Sequence, residues 1–127
     1  MDKVFKNRKI PELPVKRLGH LNKAEGKTVL SFIKDLRESL GENIISIRLF
    51  GSRVKGDFKK DSDIDLFILI RRRNSTTYDK IDELTANYWL EYDIPLSPVV
   101  YNLYEYRKNK GIGSFFFKKI EEEGILL

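Results

Sequence analysis

Residues 50–66 read FGSRVKGDFKKDSDIDL, from Phe50 to Leu66, and this stretch decides the reading of the whole chain. A glycine and a serine follow the end of one short β-branched segment, and two aspartates open the next. Strand side chains alternate, so Asp63 and Asp65 project from one face while Ile64 and Leu66 take the other, into a core. Two ionised carboxylates about 6–7 Å apart repel by roughly 2.5 kcal/mol at an effective dielectric near 20. A fold that keeps such a pair on a sheet face is expected to set a cation between them. Magnesium is the natural candidate, since it binds through one or two carboxylates plus substrate phosphates.

Just upstream, Gly51 and Ser52 sit at a strand end, and Gly56 follows five residues after Gly51. A glycine there lets backbone N–H groups approach a phosphate closely, and a serine hydroxyl adds a donor. Arg53 and Lys55 offer positive charge nearby. The combination reads as a triphosphate cradle beside a metal-binding carboxylate pair, which points to metal-assisted phosphoryl-type transfer. Other motifs fail on the letters. A Walker loop needs Lys-Ser/Thr after its second glycine, where Asp57-Phe58 stand. The run from Asp61 imitates an EF-hand but has Leu66 at the glycine position and Arg72 at the glutamate position. Gly51-Ser52-Arg53 lacks the second glycine of a dinucleotide fingerprint.

Working outward, Val29, Leu30, Phe32, Ile33, Leu36 and Leu40 recur at helical spacing and Gly41 stops them, which predicts a helix over 23–40. The spacing predicts strands over 43–50 and 63–70, the second apolar on both faces and so central, with a charged loop between them. Arg71-Arg72-Arg73 reads as a solvated strand end. A helix over about 77–92, capped by Ser75 or Thr76, carries Ile81, Leu84, Tyr88, Trp89 and Tyr92 on one stripe. Residues 94–102 form a third strand, with Pro95 and Pro98 marking an edge. A helical turn over 104–110 and a last helix from Ser114 to Glu123 follow, with Phe116, Phe117 and Ile120 as its buried side. The expected class is α+β, a small mixed β-sheet flanked by helices.

The 127 residues suit one domain. They divide into a basic N-terminal arm, 1–22, and a folded body, 23–127. Residues 1–27 hold eight Lys/Arg against three Asp/Glu, while 28–127 hold sixteen of each, so the net charge of +5 belongs to the first 27 residues, mostly to the arm. Lys3, Lys6, Arg8, Lys9, Lys16 and Arg17 there can touch RNA or an acidic partner, or form a solvated tail. No cysteine is present, which excludes disulfides, cysteine-liganded zinc and thiol catalysis. The one histidine, His20, sits in the arm and is assigned no role. No apolar run approaches a membrane span and no secretory signal is read, so a cytoplasmic location is expected.

The string Gly51-Ser52-x-x-x-Gly56 followed by Ser62-Asp63-Ile64-Asp65-Leu66 resembles the signature of the nucleotidyltransferase superfamily (DNA polymerase β-like), in particular its minimal members. The order of elements extends the likeness over about 23–102. The resemblance implies transfer of a nucleoside monophosphate from an NTP, ATP first among them, to an acceptor hydroxyl, with pyrophosphate released. It implies that Gly51 and Ser52 contact the phosphates and that Gly56 shapes the loop, with Ser62 holding the loop at the strand entrance; Arg53 and Lys55 join this nucleotide site on their charge. Asp63 and Asp65 would hold two Mg²⁺ ions.

In the superfamily an acid on the third strand completes the metal site. Here Asp93 has the parity of Pro95, Ser97 and Val99, so it is either that acid or the acid of the helix–strand turn. In the second case Ser97 or Pro95 occupies the expected place, and nucleotide binding without efficient turnover follows. The rival function is an antitoxin-like interaction module that binds a helical partner protein, as minimal members do in toxin–antitoxin pairs. Phe115-Phe116-Phe117 cannot all be buried on one helix, which fits such a partner or a second subunit. Tyr101, Tyr104 and Tyr106 are read mainly as core, with base stacking as the alternative.

Overall fold

The computed structural model describes residues 18–56 and 62–127. Residues 1–17, with most of the basic arm and its expected RNA contact, and residues 57–61 of the charged loop lie outside the described residues.

Helix α1 (Lys23–Leu40) starts where a reciprocal capping box closes. Asn22 Oδ1 accepts from the Glu25 amide at 2.8 Å, and Glu25 Oε1 accepts from the Asn22 amide at 2.9 Å. The helix ends at Gly41, whose φ of 49° a side chain would resist. A 3₁₀ turn over Gly41–Asn43 leads into β1 (Ile44–Phe50). Then come a helical turn α2 (Ser52–Lys55), β2 (Ile64–Ile70), α3 (Ser75–Tyr92), β3 (Leu96–Asn102), α4 (Leu103–Gly111), α5 (Phe115–Glu123) and β4 (Ile125–Leu126).

The sheet order is β3-β2-β1-β4. Strands β1 and β2 pair antiparallel, β2 and β3 parallel, and β4 adds antiparallel to β1. The parallel pair needs a crossover, and α3 supplies it. The sheet is mixed and flanked by helices, as the α+β reading expected. Pro98 sits on edge strand β3, where a missing N–H costs no ladder bond to a further strand.

Alternation along β2 divides the interior in two. Ile64, Leu66, Ile68 and Ile70 are fully buried and pack with Val29, Phe32 and Leu36 of α1 and Ile81 and Tyr88 of α3. Each such side chain contributes about 1.5–3 kcal/mol. Tyr88 Oη donates to Asp35 Oδ2 at 2.5 Å and lies 3.0 Å from Ser31 Oγ, so α1 and α3 are also joined by a buried polar contact. On the other face Phe67 and Leu69 pack with Phe117 and Ile120 of α5, Tyr101 of β3 and Tyr106 of α4. Asp65 lies on that second face.

The boundaries differ from the sequence reading at several places. Helix α3 starts at Ser75 because Asn74 caps it, its side chain accepting from the Thr76 amide at 2.9 Å. Trp89 and Tyr92, expected on the buried stripe, are exposed, and Trp89 Nε1 instead donates to Leu96 O at 2.8 Å. Phe116 is exposed rather than buried, Tyr101 and Tyr106 join the core, and Tyr104 faces solvent. Among the described residues no helix is long and apolar enough to cross a membrane.

Candidate active site

The site is built where β1 ends beside the start of β2. Phe50 pairs with Asp65, so the residue after it, Gly51, comes against the Asp65 side chain. A Cβ at Gly51 would overlap Asp65 Oδ2 and lie 3.2 Å from Cγ. Gly51 also has φ 81° and ψ −154°, a region essentially restricted to glycine. Both facts explain the residue type: the chain must turn sharply and pass close to a carboxylate.

From Gly51 the backbone makes the single helical turn α2, read from the sequence as loop. The Val54 amide donates to Gly51 O at 3.0 Å and the Gly56 amide to Ser52 O at 2.8 Å. Gly56 ends the turn in the left-handed region at φ 87°. Ser52 is the first residue of this turn, and the first amides of a helical turn have no partner within it. The turn thus begins at the residue that approaches Asp65 most closely.

Asp63 is exposed just before β2, and Asp65 is partly buried on it. Burial lifts the Asp65 carboxyl above the ordinary carboxylate range, and the negative charge of Asp63 lifts it further. A divalent cation would relieve both causes. The two carboxylates carry the charge to balance one such ion, and their oxygens are the hard ligands that Mg²⁺ takes. Ser62 precedes the pair, its carbonyl held at 3.2 Å by Arg53 Nη2.

Arg53 and Lys55, both expected beside the phosphates, are placed differently. Arg53 is turned inward and only 3% exposed. Its Nη1 and Nη2 donate to Glu25 Oε1 and Oε2 at 3.1 and 2.9 Å. This bidentate pair bolts α1 to α2 and, through Ser62 O, to the start of β2. The packing gives Arg53 a positioning role instead of an outward phosphate contact. Lys55 is solvent-facing and 3.8 Å from Glu123 Oε2, a surface pair weak enough to release for an anion.

Asp93 does not join Asp63 and Asp65. It caps the C-terminus of α3 in the left-handed conformation, φ 51° and ψ 40°, with its amide donating to Trp89 O at 3.1 Å. It is exposed and precedes β3, whose first residue is Leu96. Among the described residues no three His, Cys, Asp or Glu side chains gather into a metal-binding group. The strand position beside Asp65 is Ser97, its register partner on β3.

Two residues were missed by sequence reasoning. Glu25 is visible as a capping-box acid, but nothing local announces its pairing with Arg53, 28 residues away. His20, assigned no role, belongs to a short strap over α2: its amide donates to Arg53 O at 2.7 Å, and a Cβ on Gly56 would lie 2.9 Å from its Nε2.

Comparison with known proteins gives the family of the chain. The family described as "Nucleotidyltransferase domain" matches residues 29–127. "Putative protein adenylyltransferase MJ0141" of Methanocaldococcus jannaschii is 31% identical over 98 residues, 76% of this chain and 92% of that protein. "Putative protein adenylyltransferase MJ0604" of the same organism is 30% identical over 103 residues, 81% of this chain and 97% of that protein. The chain is also similar to the crystal structure of a "putative nucleotidyltransferase from Sulfolobus solfataricus", over 84% of this chain and 87% of that one, at 16% identity and a TM-score of 0.47.

Proposed function

This chain belongs to the nucleotidyltransferase domain family, and from that premise we propose that it transfers AMP from ATP to a hydroxyl on a protein acceptor. The base and the acceptor class follow the names of its relatives, each printed as "Putative protein adenylyltransferase". The observation that carries the reading is the approach of Gly51 to Asp65, which brings a phosphate-sized turn against a paired carboxylate. The cytoplasm, where ATP and Mg²⁺ are both supplied, is the proposed location.

In the reaction the acceptor oxygen forms a bond to the α-phosphorus, the bridge to the β-phosphate breaks, pyrophosphate leaves, and the hydroxyl proton passes to solvent. Asp63 and Asp65 would hold Mg²⁺, which when bound offsets charge on the triphosphate and polarises a phosphoryl oxygen. The chain's own groups do the positioning. The α2 turn aims its first N–H groups and the Ser52 hydroxyl at the phosphates, Gly51 and Gly56 permit its shape, and Arg53 and Glu25 fix its distance from β2. Lys55 supplies mobile positive charge at the rim. Catalysis of this kind rests on positioning and charge stabilisation more than on covalent chemistry.

Calorimetry of ATP binding with Mg²⁺ tests the reading. The wild type binds, and Asp63→Asn with Asp65→Asn weakens binding at least about tenfold, the loss of a charge-assisted contact worth about 1.4 kcal/mol or more. Transfer of label from α-³²P ATP to protein then identifies the acceptor. A wild type that binds no nucleotide with Mg²⁺ or Mn²⁺ overturns it.

A second reading, an antitoxin-like module for a helical partner, draws on the α4–α5 turn. Ile112 and Phe115 there are 78% and 71% exposed. Under that reading, partner binding survives the loss of both aspartates.

A further inference from the structure

We propose that this chain holds one divalent ion beside the nucleotide rather than two, and that Ser97 is the position that sets the number. The inference deepens the nucleotidyl-transfer reading and rests on it. Asp65 is flanked in the sheet by Phe50 on β1 and Ser97 on β3. Phe67, two residues beyond Asp65, stacks on Tyr101, four beyond Ser97, with ring centroids 5.8 Å apart and planes 20° from parallel. Residues of this parity on the two strands therefore share one face, and Ser97 stands on the face of Asp65. Neither neighbour is anionic.

The remaining side of Asp65 is taken by Gly51, too close for any side chain. Asp63 is thus the carboxylate that shares the site, and among the described residues no third acid or histidine joins the two. Two ions about 3.5–4 Å apart would share only two protein carboxylates, with the triphosphate left to supply the other anionic ligands. One Mg²⁺ is satisfied by two carboxylates, triphosphate oxygens and water. A second would need an anionic ligand where the structure has a neutral hydroxyl.

The test counts bound Mn²⁺ per bound nucleotide by electron paramagnetic resonance, using the full chain and the α,β-methylene analogue of ATP, which cannot be cleaved at the reacting bond. The expected count is one for the wild type, one for Ser97→Asn and Asp93→Asn, and two for Ser97→Asp. A count of two in the wild type overturns the inference while leaving nucleotide binding intact. A Ser97→Asp chain that folds, by circular dichroism, yet still holds one ion removes Ser97 as the deciding position. Failure to bind the analogue with any metal overturns the nucleotidyl-transfer reading itself and this inference with it. Should Ser97→Asp not fold, the wild-type count still decides.

Discussion

Gly51 lies so close to Asp65 that no side chain fits between them, which ties the α2 turn to the carboxylate by backbone alone. Gly51→Ala faces two penalties at once, overlap with the Asp65 carboxylate and a backbone region that non-glycine residues avoid. Strain of this kind costs about 1–3 kcal/mol. The variant is expected to melt at lower temperature and to bind ATP more weakly by at least about tenfold, since the turn must move away from β2. Unchanged ATP affinity in calorimetry would show that the turn does not contact the nucleotide.

Asp65 is held above the ordinary carboxylate range by burial and then by the charge of Asp63. Between the unfolded and folded values the folded chain binds more protons than the unfolded one. Stability contributed by this group therefore falls as pH rises through that window, and the loss is complete above the folded value. In metal-free buffer Asp65→Asn is expected to raise the melting temperature at pH 7 while abolishing metal-dependent nucleotide binding. The gain should shrink toward pH 4. It is modest, because the site is partly open to solvent. A lower melting temperature than wild type at pH 7 would contradict the assignment of Asp65 as a strained carboxylate.

Much of this was legible in the letters, and the parts that were not share physical causes. Helix α1 reads correctly at both ends because Asn22 and Gly41 are local stop signals with their own chemistry. The two faces of β2 follow from strand alternation, with Ile64, Leu66 and Ile68 on one and Phe67 and Leu69 on the other. The turn α2 was not legible, since four residues carry no periodicity, and β4 is only two residues long. Trp89 sits on the apolar stripe of α3 yet lies outside, because its indole N–H is satisfied by Leu96 O at the stripe's margin. Arg53 looked like a phosphate ligand because charge is visible in sequence and burial is not. Its partner Glu25 comes from another element, and only the fold brings them together.

That pair should behave as a buried ion pair. Glu25 is about one-fifth exposed and Arg53 nearly enclosed. Removing the carboxylate by Glu25→Gln leaves a charged guanidinium inside, and breaking such a pair costs about 3–5 kcal/mol. Urea unfolding should therefore show Glu25→Gln as among the most destabilising polar substitutions in the chain. Arg53→Lys should recover little, because one ammonium cannot span both carboxylate oxygens and Ser62 O. A Glu25→Gln midpoint close to wild type would mean that Arg53 is free to turn outward.

The strap that carries His20 offers a sharper test of how the turn is held, because an imidazole and a glycine meet there at close range. Gly56 ends α2 at φ 87°, and a methyl group on it would stand 2.9 Å from His20 Nε2. Gly56→Ala thus pays the left-handed backbone cost, about 1–2 kcal/mol, and a steric cost against the imidazole. His20→Ala alone removes the imidazole but keeps the strap, since the contact to Arg53 O is made by the backbone amide. The double variant is expected to be more stable than the two single losses sum to, by about 0.5–1 kcal/mol, as residues in contact commonly couple. A double-mutant cycle by urea unfolding measures this directly. Simple additivity would place His20 away from the turn, and the strap would then have no part in fixing the loop that follows Gly56.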